Sequence, residues 1–140
     1  MHAYILSMHF LNGKCYDVIM LEKTVFKKII DGEIPCHKIY EDEHFLVFLD
    51  AFPKNPGHTL VIPKQETLWV WDVDLYDEYF KLVRTIARAQ QKAFDIDMIL
   101  MLVHGEEVPH AHVHLRPQIE NDGTEKDFEY IADKIKKALS

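Results

Sequence analysis

An alternation of histidine with apolar residues, late in the chain, constrains the fold more than any other feature. Residues 108–117 read VPHAHVHLRP, and proline stands near each end of this segment. In a β-strand, side chains two residues apart share one face. We therefore predict a strand over residues 110–116 with three imidazoles on one face (His110, His112 and His114) and three apolar side chains facing the core (Ala111, Val113 and Leu115).

Three imidazoles on one strand face allow three interpretations. They can supply a nucleophile and a proton donor, they can bind a metal ion, or they can form a polar face open to water. A straight strand spreads the outer two Cα atoms by ~13 Å, which is awkward for a single zinc ion with short bonds to nitrogen. The spacing favours the catalytic interpretation and leaves a three-histidine zinc site as its rival.

The rest of the sequence predicts an α+β fold with an antiparallel sheet. A short amphipathic helix begins after Thr24 as N-cap and ends at Gly32. Three strands follow, at residues 38–40, 44–49 and 57–62, and the second is apolar on both faces and so central. A long helix over residues 72–94 presents an apolar face to the sheet (Leu75, Tyr79, Leu82, Ile86, Ala89 and Ala93). A buried strand follows at residues 98–103, and a C-terminal helix is indicated by four regularly spaced apolar residues (Phe128, Ile131, Ile135 and Leu139).

Composition excludes several classes of protein. The chain has 140 residues, enough for one domain, and its formal net charge of −7 argues against binding to nucleic acid. Its two cysteines are too few for a disulfide framework, and no apolar run is long enough to cross a membrane. We expect a cytoplasmic protein. Residues 1–19 show no sustained period, so we interpret them as an N-terminal extension and residues 20–140 as the domain.

The motifs resemble those of the HIT family. HAHVHLRP is similar to the family's His-x-His-x-His signature, and FLD, PGHTLVIPK and GEEVPHAHVH occur in the family's order. The upstream segment from Phe26 to Lys64 resembles the first half of a HIT domain of the Hint type. The resemblance implies a five-stranded antiparallel sheet with one long central helix and a C-terminal helix. It also implies a homodimer with a continuous ten-stranded sheet.

The resemblance also implies roles for individual residues. His112 would be the nucleophile that attacks the α-phosphorus of a nucleotide. His114 would contact the phosphate, His110 would orient the nucleophile, and His58 would lie beside the triad. Asp50 would bind the ribose, and five side chains would form the base pocket (Val25, Phe26, Ile29, Phe48 and Leu49).

The sequence departs from the family pattern in three places. Glu106 and Glu107 stand where many members have uncharged residues, and Glu106 could instead support an imidazole through a hydrogen bond. His104 and Arg116 are candidate phosphate contacts. The Cys-x-x-Cys zinc motif of some bacterial relatives is replaced by TVFK, so we predict that no metal and no cofactor is needed.

The resemblance implies an enzyme that hydrolyses purine nucleoside phosphoramidates or related AMP conjugates through a covalent nucleotidyl-histidine. The expected partner is a small nucleotide substrate. One alternative is a dinucleoside polyphosphate hydrolase. Another is a non-catalytic scaffold that binds nucleotides and regulates other proteins. The two glutamates are the sequence feature that supports this second alternative.

Overall fold

The N-terminal segment forms a β-hairpin. A computed structural model describes residues 4–11, 14–21, 23–105 and 107–140. Strands β1 (Tyr4–Leu11) and β2 (Lys14–Leu21) pair antiparallel in a sheet of their own, with Leu11 opposite Lys14. Periodicity in the sequence does not predict this hairpin. Its sequence signal is the Asn12-Gly13 dipeptide, which is typical of two-residue hairpin turns.

A five-stranded antiparallel sheet forms the body of the fold, which confirms the predicted α+β class. The strand order is β3-β4-β5-β7-β6, and every neighbouring pair is antiparallel. The strands are β3 (Lys38–Glu41), β4 (Phe45–Leu49), β5 (Thr59–Pro63), β6 (Ile99–Leu102) and β7 (Val113–Pro117). The last two strands lie far from β5 in the sequence, and the long helix occupies the intervening chain.

Three α-helices pack with this sheet: α1 (Val25–Ile30), α2 (Tyr76–Phe94) and α3 (Phe128–Ala138). Thr24 caps α1, because its Oγ1 accepts a hydrogen bond of 3.1 Å from the backbone N–H of Lys27. Helix α2 begins four residues later than predicted, since Val70–Asp72 forms a separate 3₁₀ turn. The acidic residues at 72 and 74 therefore precede α2.

The sheet carries a different apolar cluster on each face. Successive residues of β4 point to opposite faces, and all five are buried. One face packs against α2 and α3 through a large core that includes Val47, Val61, Tyr79, Ile86, Val113, Leu115 and Ile135. The other face packs against α1 through a small cluster of Phe26, Leu46, Phe48, Leu60 and Ile62. The predicted site residues lie mainly on this second face.

The histidine strand is shorter than predicted. It begins at Val113, so His110 and His112 precede β7. The ladder with β5 ends because Pro63 has no N–H to donate, and the Ala111 N–H bonds to the Thr67 carbonyl at 2.7 Å. The predicted alternation still holds beyond the ladder, since Ala111 packs in the large core.

Strand β6 is an edge strand, which corrects the prediction that residues 98–103 are buried. Among the described residues only β7 pairs with it, and these residues leave its other edge and much of its apolar surface uncovered. Met98, Leu100 and Met101 are 69%, 41% and 49% exposed. Among the residues that the structure describes, no helix is long and apolar enough to span a membrane.

Candidate active site

Four histidines gather on the sheet face that carries α1. His58 precedes β5, His110 and His112 precede β7, and His114 lies within β7. Each is at most 3% exposed. The rings of His112 and His114 lie 4.9 Å apart, and those of His58 and His114 lie 5.1 Å apart. The structure therefore brings the predicted triad and its fourth histidine into one buried cluster.

Main-chain carbonyl groups fix the proton positions on His110 and His112. The Nε2 of His110 lies 2.8 Å from the carbonyl oxygen of Pro63, and the Nδ1 of His112 lies 2.6 Å from the carbonyl oxygen of His110. A carbonyl oxygen can only accept a hydrogen bond, so each of these nitrogens carries a hydrogen. In a neutral His112 ring, the lone pair is therefore on Nε2.

A second chain of hydrogen bonds fixes His58 and His114. The backbone N–H of Lys54 donates to Nδ1 of His58 over 3.1 Å, so the hydrogen of a neutral His58 is on Nε2. That Nε2 lies 2.9 Å from Nδ1 of His114, which must accept. His114 therefore carries its hydrogen on Nε2. This nitrogen is buried and has no hydrogen-bond partner in the part of the chain that the structure describes.

Burial keeps these rings neutral. The pKa of His58 is lowered to about 4 and that of His114 to about 3, in both cases mainly by desolvation and with a smaller contribution from the charge of Arg116. The pKa values of His110 and His112 are also lowered, again mainly by burial. An imidazole with a lowered pKa retains its free lone pair at neutral pH, so His112 is suited to nucleophilic attack.

Asp50 follows β4 and lies beside the histidines. Its Oδ1 accepts a hydrogen bond of 2.8 Å from the N–H of Phe52, which is the local turn expected of an aspartate after a strand. Its Oδ2 lies 3.4 Å from Nε2 of His58. Burial raises the pKa of Asp50, while the Phe52 N–H opposes that change. One carboxylate oxygen thus holds the turn and the other faces the site.

Among the described residues, Asp50, His58 and His114 form a group that could hold a metal ion, since one ligand atom from each lies within 4.8 Å of the others. However, the two imidazole nitrogens lie 2.9 Å apart and share a hydrogen. Two nitrogens bound tetrahedrally to one zinc ion stand about 3.3 Å apart, given Zn–N bonds near 2.0–2.1 Å. The pair would have to separate and lose its shared hydrogen, so the observed geometry does not fit a zinc ion.

The predicted base-pocket residues divide between the two faces of the sheet. Phe26 packs edge-on against His112 and Phe48, with distances of 5.0 Å and 5.7 Å between the ring centres. Ile29 lies beside them. Leu49 points the opposite way, into the large core, because it is one residue along β4 from Phe48. Val25 is exposed at the first turn of α1. Leu49 is therefore a core residue, and Phe26, Ile29 and Phe48 form the apolar wall.

Two further cationic or titratable groups approach the histidine cluster. The ring of His104 is stacked parallel to that of His114, with the ring centres 4.9 Å apart. Arg116 follows His114 by two residues in β7, and its Nε is buried without a partner among the described residues. Both groups therefore lie close to His114.

The loop before the triad is held by a close aromatic contact. A Cβ atom at Gly105 would lie 2.7 Å from the ring of Trp69, so only glycine fits there without movement. Trp69 in turn stacks on Trp71 at 5.1 Å. Glu107 is exposed, whereas Glu106 lies outside the described residues.

Sequence reasoning did not identify the Lys54 N–H or the Pro63 carbonyl as hydrogen-bond partners of the imidazole rings, because backbone groups leave no signal in residue type.

Comparisons with known proteins agree with this arrangement. The family model described as "HIT domain" matches residues 31–121. A HIT-like protein of Methanocaldococcus jannaschii is 43% identical over 105 residues, 71% of this chain and 81% of that protein. The adenylylsulfatase HINT3 of Arabidopsis thaliana is 36% identical over 118 residues, which cover 79% of this chain and 60% of that protein.

A solved structure also matches. The crystal structure of a Hit-like protein from Bartonella henselae has a TM-score of 0.73 at 37% identity. The match covers 82% of this chain and 95% of that one. The histidine cluster, the antiparallel sheet and the sequence matches lead to one conclusion: the chain belongs to the HIT family.

Proposed function

We propose that this protein hydrolyses AMP conjugates, in particular purine nucleoside phosphoramidates, through a covalent nucleotidyl-His112 intermediate. The observation that carries this proposal is the pair of opposite tautomers on two adjacent neutral rings. His112 has its lone pair on Nε2, while His114 has an N–H on the corresponding nitrogen that meets no partner among the described residues. One ring can thus attack a phosphorus atom while its neighbour donates a hydrogen bond to a phosphate oxygen.

The reaction would proceed in two displacements. His112 Nε2 forms a bond to the α-phosphorus as the bond to the leaving group breaks, and the departing amine takes a proton from water. Water then attacks the phosphorus and gives a proton back to the solvent, and the bond to His112 breaks to release AMP. In both steps charge builds on the nonbridging oxygens, where the N–H of His114 and the guanidinium of Arg116 would stabilise it.

The neighbouring residues would hold the nucleoside. The apolar wall of Phe26, Ile29 and Phe48 offers a purine ring an aromatic and aliphatic surface. Asp50 Oδ2, which is free of the turn bond, would accept hydrogen bonds from the ribose hydroxyls. The similarity to a protein named as an adenylylsulfatase supports an adenylyl group as the part of the substrate that is recognised.

Single-turnover trapping tests the proposal. Acid quenching of the wild-type protein with an AMP–amine conjugate should trap a nucleotidyl-protein adduct, found by mass spectrometry on the peptide that contains His112. His112→Ala should keep the circular dichroism spectrum and lose kcat by several orders of magnitude, since the nucleophile is gone. His44→Ala is the matched control, because His44 is exposed in the turn between β3 and β4.

The outcomes separate the alternatives. Wild-type kcat in His112→Ala would refute a histidine nucleophile. Binding of AMP without any adduct or turnover would favour a nucleotide-binding scaffold. Faster turnover of a dinucleoside polyphosphate than of the phosphoramidate would favour the polyphosphate hydrolase.

A further inference from the structure

A glutamine near the C-terminal end of α2 is fully buried and faces the sheet from the side opposite the histidines. Gln90 is 0% exposed. Its Nε2 lies 3.0 Å from the carbonyl oxygen of Gly57 and 3.2 Å from that of Leu115. Both partners can only accept, so the amide nitrogen must face them and donate both of its hydrogens. Gln90 therefore joins the residue before His58 to the residue after His114.

This side chain bridges the two segments where their β-ladder ends. Strands β5 and β7 pair from Val61 with Val113 to Thr59 with Leu115, and no further. His58 lies one residue beyond the last pair, so the ladder alone does not fix its distance from His114. The amide of Gln90 connects the two chains at this point, with one hydrogen for each.

We propose that Gln90 is a positioning residue that holds His58 and His114 at hydrogen-bond distance and thereby keeps the hydrogen of His114 on Nε2. The proposal rests on the proposed function for its catalytic consequence, because that hydrogen is the one offered to the phosphate. Gln90 does not touch the substrate side of the sheet. It acts through the backbone on either side of the two rings.

Gln90 contributes mainly to the geometry of the histidine cluster and not to the stability of the fold. Its Oε1 is buried and has no hydrogen-bond partner among the described residues, and an unsatisfied buried polar atom costs free energy. The carbonyl oxygen of Gly57 has a second hydrogen-bond donor besides Gln90, since it also accepts a hydrogen bond of 2.7 Å from Thr59 Oγ1. An apolar side chain of the same length would fill the space and remove the unsatisfied oxygen.

The test is Gln90→Met, which keeps length and helix propensity but removes both donors. With an AMP–amine conjugate we expect kcat to fall about 10- to 100-fold, the effect of a small misplacement of reacting groups, with KM changed by less than about twofold. Long-range ¹H–¹⁵N spectra of the imidazoles give a second readout that does not need activity. His114 should change from one tautomer to a mixture, because its Nδ1 loses the His58 donor.

Gln91→Met is the matched control. Gln91 is the next residue of α2 and also donates to a carbonyl, that of Asp97 at 2.7 Å, but it lies on the exposed side of the helix. It should leave both kcat and the imidazole spectrum unchanged. If Gln90→Met does not fold, Gln90→Asn carries the same expectation, since its shorter arm cannot span both carbonyls.

A folded Gln90 variant with the wild-type imidazole spectrum would overturn the proposal. A wild-type kcat in a variant with an altered spectrum would overturn its catalytic consequence. If the wild-type protein turned over no nucleotide conjugate, an altered spectrum would still support the positioning role while the proposed function failed.

Discussion

At the scale of single residues, the imidazole rings of the site differ in which ring nitrogen carries the hydrogen, and they do not differ in charge. Four imidazoles share a buried space, and burial holds all four pKa values below the ordinary value for histidine. A set of protonated rings at these distances would repel one another strongly. Neutral rings can instead divide the roles of donor and acceptor between them.

These lowered pKa values predict how stability depends on pH. The unfolded chain binds more protons than the native protein between pH 6.5 and about 4, because His58 titrates near 4 when folded. The stabilisation is therefore fully present above pH 6.5 and is lost as pH falls through that range. Urea unfolding should show the free energy of unfolding decreasing, by up to about 1.4 kcal/mol per pH unit for each histidine that remains neutral.

His58→Asn should make this pH dependence shallower by about one proton. The control is His44→Asn, which removes an exposed ring and should leave the slope unchanged. An unchanged slope in His58→Asn would show that His58 titrates alike in the folded and unfolded chain.

At the scale of elements, the edge strand β6 exposes both backbone groups and apolar side chains. No strand among the described residues pairs with its outer edge, and several apolar side chains of residues 98–103 are exposed. Exposed apolar edge strands are sites of pairing with another chain. The resemblance to Hint-type proteins implies pairing with a second copy, and the exposed apolar surface of β6 supports that proposal.

We therefore expect light scattering to give twice the chain mass of 16.5 kDa at micromolar concentration. Met101→Lys should shift the protein to the single-chain mass, because a desolvated ammonium at the seam has no partner. Tyr130→Lys, on exposed α3 surface, is the control and should remain dimeric. A wild-type protein that elutes and scatters as a single chain would refute the dimer.

The elements also show how far the sequence predicts the structure. Three patterns in the sequence predict elements correctly: the histidine alternation, the run in β4 that is apolar on both faces, and the regular spacing in α2. Each follows the side-chain periodicity of a strand or a helix, which depends on local sequence alone. The sequence missed what depends on neighbours distant along the chain. The end of the β7 ladder is decided by Pro63 and Thr67, and the exposure of β6 by its place at the edge.

The candidate site divides in the same way. Type and spacing identified the three alternating histidines, whereas the places of His58 and Asp50 were implied by the resemblance to the HIT family. Leu49 was assigned to the pocket although strand parity with Phe48 excludes it from that face. The sequence does not predict the role of Gln90, because a polar residue within an apolar helical pattern carries no indication of which carbonyls it will meet.

At the scale of the whole molecule, the net charge of −7 contrasts with the function proposed for it. An acidic protein repels a nucleotide at long range, although salt screens that repulsion beyond about 10 Å. The local cations near the triad must therefore provide the attraction. This favours a substrate with few charges, such as a phosphoramidate, over a polyphosphate.

The whole protein should also work without a metal ion. Dialysis against EDTA should leave kcat/KM within about twofold, because His58 and His114 share a hydrogen where an ion would have to bind. Loss of activity on chelation, with recovery on addition of zinc, would contradict this. Elemental analysis of the purified protein gives an independent measure.

The hydrogen bonds that set the imidazole tautomers have a consequence for mutational robustness. Three of the groups that orient these rings belong to the main chain, namely the N–H of Lys54 and the carbonyls of Pro63 and His110. Almost any amino acid at position 54 supplies the same N–H, and every amino acid at position 63 supplies a carbonyl. Only proline at position 54 deletes the donor. Drift in these side chains can therefore leave the proton pattern of the site untouched, provided that the loop keeps its path.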